Sequence, residues 1–227
     1  MLSGKTTFSQ AKNYVFVGEA GCGKSEIAIN LAYTLKQAGE DVHFFDLDQT
    51  KPLFRSRDLR TQMERDGIVF HHEEQFYDAP TLASGIAETL TCNSKTCVLD
   101  IGGNDTGSRV VGGFASIVNR DDTVVYFVIN PYRPWSKSTD TIAETLNAIM
   151  SAARVRAVQV ICNPNVGYTT SAEEVMAGIE KTVELLDQQL PIAFVTVQTE
   201  VLDEVADQSP YPCYPLKLYL RYPWTQD

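Results

Sequence analysis

The 227-residue sequence lacks any apolar run that approaches the ~20 residues a helix needs to cross a membrane. Its polar residues 3–10 lack the apolar centre of a secretory signal. Basic residues are outnumbered, with 19 lysines and arginines against 29 aspartates and glutamates, so the formal net charge is -10. We therefore expect an acidic cytoplasmic protein with no membrane association. Nucleic acid is not an expected partner, because non-specific binding requires a basic surface.

Cysteines are also few, and no linker divides the chain. The five cysteines are scattered, which is typical of reduced thiols rather than of a disulfide framework. Residues 1–227 are expected to form one domain, with a Pro- and Tyr-rich C-terminal tail from about residue 209. The pair His71-His72 invites a metal interpretation, but adjacent strand residues point to opposite faces, so a polar strand end is favoured.

The most informative stretch reads G-x-x-x-x-G-K-S from Gly18 to Ser25, between an apolar strand pattern and a helical pattern. These flanks are typical of a phosphate-binding loop, whose glycines let successive backbone N–H groups surround an anion. Lys24 can reach the β- and γ-phosphate oxygens, and the Ser25 hydroxyl can bind Mg²⁺. The cofactor-binding residues predicted here are Gly18, Gly21, Cys22, Gly23, Lys24, Ser25 and Glu26.

Two further strand patterns end in carboxylates. Residues 42–45 lead into Asp46-Leu47-Asp48, and the strand from Thr96 leads into Asp100-Ile101-Gly102-Gly103. Ligands of open α/β sheets bind at the carboxyl ends of the strands, so these acids are expected at the site. Asp100 can bind a water of the Mg²⁺ shell, and the Gly103 N–H can sense a γ-phosphate.

Strand and helix patterns alternate along the chain. Together they predict an α/β fold, a three-layer sandwich around a mainly parallel sheet of about seven strands. Predicted helices include 80–90, 107–119, 138–153 and 172–189, and a strand is predicted at 67–70. In the tail, three leucines alternate with polar residues, which predicts an extended segment. It is expected to pack on its own domain, with docking of a partner as the alternative.

The order of the phosphate loop, the D-L-D acids and the D-x-G-G turn resembles the MinD/ParA/CooC branch of P-loop ATPases, related to the nitrogenase iron protein. The resemblance covers nearly the whole chain. It is closest to a ParA-like group that has no settled function. The stretches that carry this closer likeness are Phe45–Asp48 through Phe54–Arg57, Asp100–Gly103, Asn130–Pro134 and Tyr222–Trp224.

This resemblance implies a role for each matching residue. Lys24 and Ser25 would hold phosphate and Mg²⁺, and Asp48 would position or activate the attacking water. Asp100 would lie in the outer Mg²⁺ shell. The implied catalytic residues are thus Lys24, Asp48 and Asp100, the implied metal ligands are Ser25, Asp48 and Asp100, and the implied cofactors are ATP and Mg²⁺.

The base would be contacted by Asn163 and Pro164, again by resemblance. The residue types give a separate argument for adenine. Guanine-specific relatives carry an aspartate two residues beyond the lysine of N-K-x-D, and its carboxylate accepts from guanine. Here the run is Asn163-Pro164-Asn165-Val166, without that carboxylate, so ATP is favoured over GTP.

One departure from the family concerns the loop lysine that usually reaches across a nucleotide-sandwiched dimer. Glu19 stands in its place, and a carboxylate near a triphosphate would be repelled, so we expect Glu19 to point elsewhere. Arg55 and Arg57 are candidate replacement cations, because P-loop enzymes commonly need an extra cation in the transition state. Solvated surface arginines are the alternative.

Three functions fit these residues. The first is a slow ATP hydrolase, stimulated by a partner, that acts as a nucleotide-dependent switch in assembly, maturation or partition and forms an ATP-dependent homodimer. The second is a P-loop kinase or ligase acting on a small molecule. The third is a nucleotide-binding module that does not hydrolyse, as the substitution at Glu19 would allow.

Overall fold

Strands alternate with helices throughout the computed structural model, which describes residues 8–48, 56–72, 82–187 and 190–220. The strands are β1 (Asn13–Val17), β2 (Val42–Leu47), β3 (Val69–His72), β4 (Thr96–Ile101), β5 (Thr123–Ile129), β6 (Gln159–Cys162), β7 (Ile192–Gln198) and β8 (Cys213–Leu216). The helices are α1 (Lys24–Gln37), α2 (Arg60–Arg65), α3 (Leu82–Thr91), α4 (Asn104–Gly112), α5 (Ala115–Val118), α6 (Thr139–Ala153), α7 (Ala172–Leu186) and α8 (Leu202–Ala206). Short 3-10 turns lie at Ser56–Leu59 and Thr199–Val201.

The strands form one sheet in the order β3-β2-β4-β1-β5-β6-β7-β8, and every neighbouring pair is parallel. Over the described residues the sheet therefore has eight strands, where about seven were expected. The additional strand is β8, which begins inside the proline-dense stretch. Proline is tolerated there because β8 is at the edge of the sheet, where a backbone N–H that faces outward has no strand to bind.

Helices cover both faces of the sheet, and alternate residues of each strand feed two separate cores. Val15 and Val17 of β1 pack with α3 to α8 on one side, whereas Tyr14 and Phe16 pack with α1 and α2 on the other. Strands buried on both faces read as continuous apolar runs, as β5 does. The predicted three-layer α/β sandwich is confirmed.

Local boundaries differ from the sequence expectations, as three examples show. Residues 107–119 were expected as one helix, but α4 begins earlier, at Asn104, and the chain breaks at Gly113 before α5. The strand expected at 67–70 starts two residues later and includes both histidines. Helix α2 was not predicted, since it carries a single buried apolar residue, Met63.

The two histidines of β3 point to different partners, as expected for adjacent strand residues. The His71 Nε2 atom is 2.8 Å from Nδ1 of His43, whereas His72 Nε2 is 3.3 Å from the guanidinium of Arg60. Burial and the neighbouring His43 lower the pKa of His71 to about 4, so this pair is neutral near pH 7.

Among the described residues, no helix is both long and apolar enough to cross a bilayer.

Candidate nucleotide-binding site

The loop between β1 and α1 depends on glycine at two positions in particular. Gly23 has φ +100, and a Cβ added there would lie 2.0 Å from Nδ2 of Asn163. Gly18 has φ +141, and its added Cβ would lie 2.6 Å from the carbonyl oxygen of Val128. Both the backbone conformation and the close packing therefore exclude a side chain.

Lys24 and Ser25 begin α1 and are buried at its first turn. The Lys24 ammonium folds over the loop and donates to the carbonyl oxygens of Gly18 at 3.0 Å and Glu19 at 2.9 Å. Among the described residues, no N-cap side chain bonds to the first turn of this 14-residue helix. Its first N–H groups and its positive dipole end are thus available to an anion, which is what a nucleotide phosphate requires.

The predicted acids meet the loop at the carboxyl edge of the sheet. Asp46 of β2 lies opposite Asp100 of β4 in the strand register, and Asp48 and Asp100 are 3% and 0% exposed. A Cβ on Gly102 would lie 3.2 Å from a carboxylate oxygen of Asp48. The D-x-G-G turn and the D-L-D acids, far apart in sequence, are therefore side by side.

The same turn packs directly on the phosphate loop. A Cβ on Gly103 would lie 2.7 Å from the backbone nitrogen of Ala20, and the Asn104 N–H donates to the Gly18 carbonyl at 3.3 Å. Residues 103–104 therefore cannot shift without disturbing their contacts with the phosphate loop. This contact connects the two motifs mechanically.

Arg57 donates hydrogen bonds to Asp46 and Asp48. Its Nε donates to the Asp46 carboxylate at 3.0 Å, and its terminal nitrogen donates to the Asp48 carbonyl oxygen at 2.9 Å. Ser56 adds a hydrogen bond to the Asp100 carboxylate at 3.2 Å. Arg57 therefore orders the acidic strand end. Arg55, the other candidate cation, lies outside the described residues, as do Phe54 and the stretch Tyr222–Trp224.

Asn163 bridges three elements. Its amide Nδ2 donates to the Cys22 carbonyl oxygen at 2.7 Å, and its Oδ1 accepts from the Thr196 hydroxyl at 2.7 Å. The residue follows β6 and joins the loop to β7. Sequence patterns could not reveal this bridge, because its partners are remote in the chain. Pro164 is buried and lies close to Gly178, which cannot carry a Cβ there.

These elements enclose a cleft of about 650 Å³, within the range typical of small-molecule sites. Predicted residues that line it are Gly21, Gly23, Lys24, Ser25, Glu26 and Asn163. The other predicted residues are not among the described residues that line it, namely Gly18, Cys22, Asp48, Asp100, Gly103 and Pro164. Lining residues that sequence reasoning did not assign to the site include Arg133, Tyr168, Leu216, Leu218 and Leu220.

The carboxylate of Glu26 faces the C-terminal segment. It accepts hydrogen bonds from the backbone nitrogens of Tyr219 and Leu220. Burial raises the pKa of Glu26 from 4.5 to about 7, and the two backbone donors only partly offset this. The sequence predicted Glu26 as part of the phosphate loop, but its side chain binds the C-terminal segment.

Glu19 and Arg133 both line a second, small cavity next to the loop. Glu19 is not among the described residues that line the large cleft, which agrees with the expectation that it points elsewhere. Arg133, from the loop after β5, donates its Nε to the Gly21 carbonyl at 3.0 Å. Of the described residues that line the large cleft, Lys24 and Arg133 are the cations.

The donor set fits Mg²⁺. This ion keeps several waters and is commonly held by one or two protein oxygens together with substrate phosphates. Ser25 at the helix start and Asp48 and Asp100 at the adjoining strand ends supply oxygens at the same edge of the sheet.

A glycine loop between a buried strand and a helix, with carboxylates at neighbouring strand ends, defines a P-loop nucleotide-binding domain. The chain belongs to the family of CobQ/CobB/MinD/ParA nucleotide-binding domains, whose family model matches residues 15–195. The resemblance to the MinD/ParA branch is thereby confirmed. No curated protein matches the chain.

Solved structures similar to the chain include two signal-recognition proteins. The cell division protein FtsY from Thermotoga maritima is 16% identical, with a TM-score of 0.54, covering 85% of this chain and 65% of that one. The 54 kDa signal recognition particle protein from Aeropyrum pernix K1, solved with GDP, is 18% identical, with a TM-score of 0.51, covering 82% and 41%.

A third solved structure that is similar to the chain, FlhF complexed with GMPPNP and Mg²⁺, is 16% identical. Its TM-score is 0.54, and the match covers 83% of this chain and 67% of FlhF. At such identities the likeness shows the fold alone. The chain spans 41% and 65% of the two signal-recognition proteins, so it corresponds to only a part of each.

Proposed function

We propose that the chain binds Mg·ATP, hydrolyses it slowly, and acts as a nucleotide-dependent switch on a protein partner. The observation that carries this proposal is the packing of Gly103 on Ala20 of the phosphate loop. A turn that can sense a γ-phosphate is there in contact with the loop that would hold it. Loss of the γ-phosphate would release this turn, which is how P-loop switches convert hydrolysis into a shape change.

Each residue of the candidate site has a distinct task in this proposal. Lys24 exchanges its two carbonyl contacts for β- and γ-phosphate oxygens and neutralises their charge. Ser25 and Asp100 would hold Mg²⁺, which when bound would neutralise charge on the phosphates. Asp48 positions the attacking water and accepts its proton, a task for which a buried carboxylate at the strand end is suited.

Arg133 takes the place of the cation that the family's loop lysine would supply. Arg57 is bound to Asp46, whereas Arg133 contacts the loop through Nε and lines the large cleft. Its guanidinium carries two further nitrogens with which it can bind phosphate oxygens. Within one copy of the chain it thus adds positive charge beside Lys24.

ATP rather than GTP is supported by the polar groups of the cleft. Guanine presents two donors on one edge, and a carboxylate is the acceptor that matches them. Among the described lining residues the one carboxylate is Glu26, and it is bound to the tail. Asn165 directs its side-chain oxygen to the N–H of Gly167 at 2.8 Å. The other lining amides, Asn130 and Asn163, accept with their side-chain oxygens from the Tyr132 N–H and the Thr196 hydroxyl.

Calorimetry on the Lys24→Ala variant tests the proposal. ATP affinity should fall severely, because the main side-chain contact to the phosphates is removed. Lys36→Ala, in the last turn of the same helix, is the matched control and should bind ATP normally. An unchanged ATP affinity in Lys24→Ala would refute the site. Tighter binding of GTP than of ATP would refute the base preference, and binding without phosphate release would refute hydrolysis.

A further inference from the structure

In the part of the chain that the structure describes, no strand pairs with the backbone of the segment 217–220, which follows β8. Two side chains of helix α1 bind polar groups of this backbone instead. Asn30 donates to the Lys217 carbonyl at 2.8 Å and accepts from the Lys217 N–H at 2.9 Å. Glu26 accepts from the N–H groups of Tyr219 and Leu220. The segment is therefore fixed in place by side chains and not by the sheet.

Helix α1 provides most of this attachment from one face. Glu26, Asn30 and Tyr33 are spaced at i, i+4 and i+7, so they lie in one row along the helix. The Tyr33 ring stacks on that of Tyr219, with centroids 4.9 Å apart and planes at 14°. Glu26 directly follows Ser25 of the phosphate loop. The first turn of α1 thus has two contacts. Its backbone N–H groups face the phosphate site, and its Glu26 side chain binds the C-terminal segment.

The leucines of the segment face the cleft. Leu216, Leu218 and Leu220 line it together with Lys24 and Ser25, in agreement with the alternation in the sequence. Tyr168 also lines the cleft, and its hydroxyl donates to the Leu220 carbonyl at 2.9 Å.

The cleft therefore has two chemically different ends. The end at the phosphate loop is cationic and rich in N–H donors, whereas the end at the C-terminal segment is apolar and includes an aromatic ring. Val166 and Tyr168 there are 45% and 40% exposed, so they are accessible to a ligand that enters the cleft. A nucleotide has the same division, with anionic phosphates at one end and a flat apolar base at the other.

We propose that Leu218, Leu220 and Tyr168 form the surface on which the nucleotide base packs, and that Glu26 and Asn30 are the positioning residues that hold this surface against the phosphate loop. The inference rests on the proposed function, because it requires a nucleotide in the cleft. It adds a base-recognition element contributed by the C-terminal segment.

Comparison of ATP with inorganic tripolyphosphate, which has no base, tests this inference. Leu218→Ala combined with Leu220→Ala should weaken ATP binding about tenfold or more, the size expected when base packing is lost. Tripolyphosphate binding should not change, because the phosphate loop is untouched. Val183→Ala, an equivalent apolar truncation on the exposed face of α7, is the control and should bind both ligands normally.

The positioning residues are tested by the same ratio of affinities. Asn30→Ala should lower ATP affinity while sparing tripolyphosphate. Glu26→Gln keeps an acceptor oxygen for the two backbone donors and should retain more ATP selectivity than Glu26→Ala. A residue with a merely structural role would weaken both ligands together, so the ratio separates the two explanations.

Two results would overturn the inference and leave the proposed function standing. One is an equal loss of ATP and tripolyphosphate binding in the double leucine variant, and the other is no loss of either. Failure of the parent protein to bind ATP, or normal ATP binding in Lys24→Ala, would instead overturn the proposed function and this inference with it.

Discussion

Among single residues, Asp48 separates binding from hydrolysis. Its carboxylate lies beside Gly102, while its backbone carbonyl holds Arg57. Asp48→Asn keeps the backbone contact and the side-chain shape but removes the base. We expect phosphate release to fall roughly 10²-fold, with ATP affinity nearly unchanged. Single-turnover phosphate release and calorimetry measure the two quantities.

Asp105→Asn is the control for Asp48, because Asp105 is an exposed partner of Arg109 at 3.3 Å. It should hydrolyse at the parental rate. If Asp48→Asn hydrolyses normally and Asp105→Asn does not, the proposed catalytic base is wrong and Asp105 takes that role.

Glu26 should make stability depend on pH. Its pKa is raised from 4.5 to about 7 in the folded protein, so the folded state holds its proton more tightly than the unfolded state. The tighter binding of this proton adds to the free energy of unfolding. That stabilisation is complete below about pH 4.5 and is lost as the pH rises through 7. Relative to Glu26→Gln, the parent should therefore lose free energy of unfolding between pH 5 and pH 8. Urea unfolding of both proteins across this range measures the difference, and a constant difference would contradict the assignment.

What the sequence could reveal at this scale was the chemistry of a residue, not its partner. Lys24 and Ser25 were recognisable because their task is set by a local pattern. The bridge made by Asn163 and the attachment made by Glu26 depend on residues 141 and 194 positions away. No local pattern carries that information.

At the scale of elements, the phosphate loop requires glycine at position 23 because Asn163 fills the space above it. Gly23→Ala adds a Cβ 2.0 Å from the Asn163 amide and forces an L residue to φ +100. We expect loss of the Asn163–Cys22 hydrogen bond, a destabilisation of about 1–3 kcal/mol, and loss of ATP binding. Thermal unfolding and calorimetry measure both effects.

Gly39→Ala provides the matched control. Gly39 also has positive φ, at +90, but an added Cβ meets nothing within 4 Å. It should therefore show the backbone strain alone, about 1 kcal/mol, with normal ATP binding. Equal loss of ATP binding in both variants would mean that strain, and not the contact with Asn163, explains the effect.

Elements with a complete local signal were predictable, and those that depend on tertiary contacts were not. The loop with its strand and helix, and the acids at two strand ends, followed from apolar periodicity and glycine placement. Helix α2 was missed because its six residues include one buried apolar side chain. Strand β8 was missed because proline obscures a strand pattern, although pairing with β7 makes it one.

For the whole molecule, we expect ATP to stabilise a homodimer. The family resemblance motivates this expectation, whereas Glu19, repeated across a two-fold axis, would bring carboxylates towards the triphosphates. Light scattering on Asp48→Asn with Mg·ATP should show the dimer, and Lys24→Ala should remain monomeric. Higher salt should strengthen the association by screening this repulsion. A monomer at high protein concentration would rule out the nucleotide sandwich.

The position of β8 also affects how the molecule behaves at high concentration. An exposed edge strand presents unpaired N–H and C=O groups that can recruit a strand from another chain and start aggregation. Pro215 is exposed in the middle of this edge, in register with Val197, and has no N–H to offer. The proline that hides β8 in the sequence thus interrupts the row of donors along the open edge, and so protects the sheet from adding a ninth strand from another copy.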